Sequence, residues 1–271
     1  MKILLLADFH FCENWYSWLL REKADLCVIA GDLLDGYHDD GLLPQMLAVQ
    51  DWCGKFPGNL AISSGNHDGN IELGGREVSP WEFASDEIRG RVHALLSYDT
   101  WMDSLAFPNV VTDGQSRLLV LPSGNIVVTT IPFFPGPRGL PFVVDLWGEG
   151  ARLRRECECP WIVVNHEPPC GTLVGGETGD PELVSRIQEF SPDFVVSGHV
   201  HGQPYRGSFV DKVGSTWCFN PGRPVLTRAI RAKRPNHILL DLGMQTATWR
   251  ATPNVGRVPI DQTVVFGKPL L

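Results

Sequence analysis

With 271 residues, 43% of them hydrophobic and 20% charged, the chain is long enough to bury a substantial core in one globular, soluble domain. A net charge of −8 argues against a broad basic surface for nucleic acid, where phosphate contacts dominate affinity, but leaves room for an anionic substrate held through bound cations. Seven cysteines, odd in number and scattered, read as reduced, packed thiols and point to the cytoplasm; the spacing of Cys157 and Cys159 does not suit a zinc knuckle.

The first predicted element is a buried strand over residues 2–7. It begins like a signal peptide, but Asp8 and His10 interrupt the apolar run too early, and no stretch reaches membrane-spanning length. A helix is expected over 14–23, a second buried strand over 26–30, a helix over 42–55 and a third strand over 59–63. Residues 116–120 and 126–131 suit a hairpin. Residues 132–141, with four prolines and two phenylalanines, read as a stiff loop. Helices are expected over 145–155 and 181–190, with short strands over 161–164 and 194–197. After His201 the pattern is all-β, with strands near 209–213, 217–219, 236–241 and 246–250. The expected organisation is one domain over 1–251, in which 132–160 serves as a substrate-covering insertion, followed by a tail over 252–271 without periodicity.

Five segments carry the chemistry: Asp8-Phe9-His10, Gly31-Asp32-Leu33-Leu34-Asp35, Gly65-Asn66-His67-Asp68, Asn165-His166-Glu167 and Gly198-His199-Val200-His201. Each follows the carboxyl end of a short apolar run, the rim at which open α/β sheets bind ligands. Asp8, His10, Asp32, Asn66, His166, His199 and His201 offer two carboxylates, one amide oxygen and four imidazoles. That is more than one zinc ion needs, and mixed N/O donors without thiolate suit Mn, Fe, Zn, Ni or Co. Two ions sharing a bridging carboxylate fit the count. Two dications set against two carboxylates leave the pocket at about +2, a well for phosphate. Paired ions can activate a water and clamp the oxygens of an in-line displacement. His67 is left over for proton transfer or phosphoryl binding, with Asp35 or Asp68 to orient it.

In this order, the five segments resemble the signature of the calcineurin-like metallophosphoesterases over residues 8–201. The resemblance implies a four-layer αββα sandwich, an α/β (α+β) fold with two mixed sheets flanked by helices and the metal site at the strands' carboxyl rim. It also implies that Asp8, His10 and His201 hold one ion, that Asn66, His166 and His199 hold the other, and that Asp32 bridges them. His67 is then the catalytic histidine and Asp35 the acid that orients it. Asn220-Pro221-Gly222 resembles the family's closing strand and turn.

The implied activity is hydrolysis of a small phosphodiester or phosphomonoester, nucleotide-like molecules included, by a metal-bridging hydroxide, with manganese the first choice in vitro. The protein Ser/Thr phosphatase branch carries a phosphate-gripping arginine after the second acid. This chain has Gly36 there, so a phosphoprotein substrate is disfavoured. A nuclease of the same superfamily is the alternative enzyme, and a non-catalytic metal- or phosphate-binding scaffold is the alternative outside catalysis. The partner expected is a small phosphorylated substrate, with nucleic acid disfavoured and no membrane.

Asn66, His67 and Arg138 are the expected substrate contacts. Residues 171–179 are expected to border the pocket, and Glu167 to be solvated or beside the ligands. Asp68 has a second reading, because an Asp after a turn also bonds nearby backbone amides. His38, His93 and His237 match no motif and read as structural or surface residues.

Overall fold

Three parallel strands, β1 (Lys2–Leu6), β2 (Leu26–Ala30) and β3 (Leu60–Ser63), set the frame of the first sheet. Because side chains alternate across a strand, β1 feeds two cores at once. Leu4 and Leu6 pack outward with Trp15 and Leu19 of α1 (Glu13–Leu19) and with Leu47 and Trp52 of α2 (Leu43–Lys55). Ile3 and Leu5 pack inward against Val128, Ile162 and Phe194 of the second sheet. With both faces covered, the strands read as unbroken apolar runs, which is why they are legible in the sequence.

The computed structural model describes residues 1–35, 42–68, 101–133, 139–224, 232–252 and 259–266. The remaining elements are β4 (Val110–Val111), β5 (Gln115–Leu121), β6 (Gly124–Thr130), α3 (Gly139–Cys157), β7 (Trp161–Val164), α4 (Pro181–Phe190), β8 (Phe194–Val196), α5 (Gln203–Arg206), β9 (Val210–Val213), β10 (Thr216–Phe219), β11 (His237–Asp241), β12 (Thr246–Ala251) and β13 (Ile260–Val265). The first sheet runs β13-β12-β11-β1-β2-β3-β4 and the second β5-β6-β7-β8-β10-β9. Both are mixed. β1 to β4 are parallel and β11 joins β1 antiparallel, while β6, β7, β8 and β10 are parallel between antiparallel edges. A third core places Leu146, Trp147 and Ala151 of α3 and Leu183 and Ile187 of α4 on the outer face of the second sheet. The expected αββα sandwich is present.

Register decides where the site can form. Leu6 pairs with Ile29 and Ala30 with Ser63, so β1, β2 and β3 end together. Val164 pairs with Val196, so β7 and β8 also end together. The five motifs follow these five ends.

Several boundaries differ from the expectation. The first helix stops at Leu19 rather than residue 23, and Leu20, Arg21 and Glu22 close it with turn bonds to Tyr16, Trp18 and Leu19. α3 starts at Gly139, taking in Pro141 from the segment read as loop. A proline fits a first helical turn because the missing N–H would have no intrahelical partner there. α5 interrupts the region expected to be all-β. β13 lies beyond Thr252 as the edge of the first sheet. Most of its side chains are half-buried or exposed, so it has no apolar alternation to read. Among the described residues no helix is long and apolar enough to cross a membrane.

Candidate metal centre

The loops after the strands are built under backbone strain. Asp8, His10, Phe11, Asp32 and His199 all have positive φ, between 42° and 61°, a region L-residues avoid unless the surroundings impose it. The imposing contacts are main-chain bonds between loops: Asp8 N to Gly31 O (3.1 Å), His10 N to Asp32 O (2.8 Å), Phe11 N to Leu33 O (2.9 Å) and Gly198 N to His166 O (2.8 Å). Gly31, at φ +78°, lies where a Cβ would run into the His166 ring, so only glycine lets these two loops touch.

Asp68 locks the arrangement. Its carboxylate accepts N–H bonds from Leu33 (3.0 Å), Leu34 (2.9 Å) and Gly65 (3.0 Å), and its carbonyl accepts from the Trp101 indole (2.8 Å). Burial, aided by the Asp32 charge, pushes its carboxyl up to about 7 against those three donors. Its carboxylate bonds tie the second motif to the third, which is the backbone-bonding reading of this residue. The acid placed beside His67 is instead Asp35: His10, Asp35 and His67 each present an atom within 4.8 Å of the others. The sequence reading missed the buried Gln45, which holds Asp35 by accepting its N–H (2.8 Å) and donating to its carbonyl (3.3 Å). A polar residue on the buried face of an amphipathic helix was the available signal.

The seven expected ligands converge. His10 Nε2 is 3.1 Å from His201 Nε2 and 3.4 Å from Asp32 Oδ2. His201 Nε2 is 3.4 Å from Asp8 Oδ1, which also accepts the His199 N–H (2.9 Å). On the other side, His166 Nε2 is 3.4 Å from Asp32 Oδ1 and 3.1 Å from Asn66 Oδ1, while His199 Nδ1 is 2.9 Å from the same amide oxygen. The two oxygens of Asp32 thus face different halves of the cluster. Ala30 O lies 2.8 Å from His166 Nδ1, which leaves Nε2 to the centre. Burial pushes His10 down to about 4, so its imidazole is neutral and offers a lone pair. His201, His166 and His10 hold the Asp8 carboxyl far below its usual range although burial opposes them.

Around this cluster, the His67 ring meets His10 edge-on at 4.5 Å, and Phe133 stands 5.7 Å from His166 and 6.4 Å from His199. Glu167 Oε1 is 4.0 Å from His199 Nε2. Asn220 is fully buried and donates toward Val174 O (3.0 Å), Gly198 O (3.3 Å) and Val200 O (3.4 Å). It clamps the 199–201 loop and draws in part of the 171–179 segment. Arg223 was also missed, and its backbone N–H bonds His201 O (3.1 Å). His237 is buried, packs on Trp18 and has Nδ1 3.0 Å from Pro235 O, as a structural histidine should. Arg138, Gly36, His38 and His93 lie outside the described residues.

The donor set fits cations. Ring nitrogens, carboxylate oxygens and an amide oxygen face one another, and Asp8 Oδ2 is buried without a hydrogen-bond partner among the described residues. A lone carboxylate oxygen in such a place is costly unless a cation meets it.

Fold and site together define a two-sheet sandwich that holds a histidine–carboxylate cation centre at its strand rim. The model of the calcineurin-like phosphoesterase family matches residues 1–203, and the chain belongs to that family. No curated protein matches the chain at significant similarity. Among solved structures, the TT1561 protein of Thermus thermophilus is 14% identical with a TM-score of 0.52, covering 92% of each chain, and shares the fold. A putative 5'-nucleotidase from Staphylococcus aureus is 12% identical at a TM-score of 0.46, with 89% of this chain spanning 51% of that one. Haemophilus influenzae NAD nucleotidase is 10% identical at 0.46, and this chain spans 49% of it. At the level of chemistry, family membership assigns metal-dependent phosphoester hydrolysis.

Proposed function

We propose that the protein is a binuclear metal-dependent phosphoesterase acting on a small phosphodiester or phosphomonoester, nucleotide-like molecules included, with manganese as the first ion to supply in vitro. The observation that carries the reading is the division of Asp32, whose Oδ2 lies with His10 and whose Oδ1 lies with His166. Asp8, His10 and His201 would hold one ion, Asn66, His166 and His199 the other, and Asp32 both. The bound ions would supply an activated water and draw charge from the phosphoryl oxygens.

The rest of the chemistry belongs to side chains. His67, beside His10, donates a proton to the leaving oxygen, and Asp35 holds the imidazole in place. Asn66 and His67 flank the reacting phosphoryl group. A cavity of about 150 Å³ beside the cluster, lined by apolar Phe133, Leu140 and Trp147 and by charged Glu167, Glu182 and Arg186, offers room for the alcohol moiety of a small ester.

The test is a hydrolysis screen with manganese added, over aryl mono- and diesters, cyclic nucleotides, dinucleoside polyphosphates and single-stranded DNA. Metal content is measured in parallel on wild type and Asp32→Asn. Turnover of a small ester should fall by about a thousandfold in the variant as metal is lost. Full activity in Asp32→Asn would sink the two-ion reading, and turnover of DNA alone would replace the substrate class.

A further inference from the structure

Arg223 follows Asn220-Pro221-Gly222 and belongs to none of the five motifs. Its side chain is 7% exposed, and its Nε is buried with no hydrogen-bond partner among the described residues. Its guanidinium carbon stands 5.7 Å over the ring of fully buried Trp15, and among the described residues it forms no ion pair with a carboxylate. A cation–π contact offsets only part of the desolvation of a guanidinium, which stays charged. Buried charges are otherwise paired, so this cation calls for an anion.

The surroundings say where that anion sits. The backbone of Arg223 is tied to His201 O, and its charge acts on Asp8, Asp35 and Asp32 as well as on His10 and His201. Asp8 and Asp32 face the centre, and Asp35 lies with His10 and His67, so none of the three serves as the partner of Arg223. The second half of the fold thus brings an arginine to the side of the site opposite Asn66 and His199. The sequence position that carries a phosphate-gripping arginine in the protein phosphatase branch holds Gly36 here.

We propose that Arg223 is a substrate-binding residue, its guanidinium donating hydrogen bonds to the non-bridging oxygens of the phosphoryl group on the His10–His201 side of the centre. The proposal rests on the phosphoesterase reading above. The Trp15 ring takes up one face of the guanidinium, and the N–H donors would be left for the phosphoryl oxygens.

The experiment compares metal-loaded wild type, Arg223→Lys and Arg223→Met. It measures kcat and KM for an aryl phosphoester, competitive inhibition by inorganic phosphate, the Tm gain on adding phosphate, and metal content. Losing charge-assisted bonds to phosphate should raise KM and the phosphate inhibition constant by about ten- to a hundredfold in Arg223→Met, at unchanged metal content, and abolish the Tm gain. Arg223→Lys should fall between, because an ammonium keeps the charge and loses the fork. Phosphate inhibition and Tm gain equal to wild type in Arg223→Met overturn the proposal and leave Arg223 as a packing partner of Trp15. If that variant does not fold, wild-type phosphate affinity in Arg223→Lys overturns it instead. A wild type that neither turns over the ester nor responds to phosphate would defeat the phosphoesterase reading itself.

Discussion

The interior between the sheets and the rim where the strands end are a few residues apart in the chain and obey opposite rules. Inside, Ile3, Leu5, Val28, Ile162, Val164 and Phe194 are all fully buried, apolar and in regular strand geometry. At the rim, five non-glycine residues have positive φ, and the buried Asp8 Oδ2, Ser63 Oγ, Ser197 Oγ and Arg223 Nε lack hydrogen-bond partners among the described residues. Such departures cluster where a fold holds a site in place, because the regular core supplies the stability that the strained loops give up. The sandwich is therefore a support, and the rim is what it supports.

That contrast can be broken by substitution. The largest effect expected is on turnover: His67→Ala should lower kcat by about 10²- to 10⁴-fold with metal content and Tm near wild type. If the variant arrived without metal, His67 would be a ligand rather than a proton donor. A smaller effect, of the opposite kind, is expected from the interior. Leu5→Ala should cost about 3 kcal/mol in denaturant unfolding while activity per folded molecule is kept. A catalytic loss exceeding the folding loss would show that core and rim are less separate than their geometry implies.

The smallest effect compares two kinds of buried histidine. Burial depresses His237 to about 4, away from the centre, with Trp18 against its ring and Arg234, Arg250 and Asp261 acting on its charge. A base depressed on folding binds more protons unfolded, so its contribution is complete above about pH 6.5 and is lost as pH falls toward 4. Stability should decline across that window by on the order of 1–3 kcal/mol through this residue. His237→Phe should flatten the decline in pH-dependent unfolding without changing metal content, and an unaltered slope would remove His237 as its source.

How much could be read in advance follows from how local each signal is. β1, β2 and β3 announced themselves because a strand covered on both faces is one apolar run, and the ligands stood directly behind them. β13 announced nothing, since a mostly exposed edge strand has no buried face to mark it. The start of α3 was hidden by Pro141, which signals a loop unless a first helical turn is already in place. Asp35 and Asp68 were both candidate acids for His67, the family resemblance favoured Asp35, and three backbone donors from two loops occupy the Asp68 carboxylate. Gln45 showed only as a polar residue on the buried face of a helix, and Arg223, a cation after a turn, matched no pattern.

Taken alone, the chain's residue order carried the layered class of the fold, the family chemistry and the identity of the seven candidate ligands, because each depends on a few neighbouring residues placed after a strand. Packing of the two sheets settled the rest. It set Asp32 between two groups of donors, gave Asp68 to the backbone, put Asp35 with His67 and brought Arg223 beside His201. These are relations between residues as far as 191 positions apart, such as His10 and His201. Their distances follow from register and burial across the whole sandwich and not from local spacing.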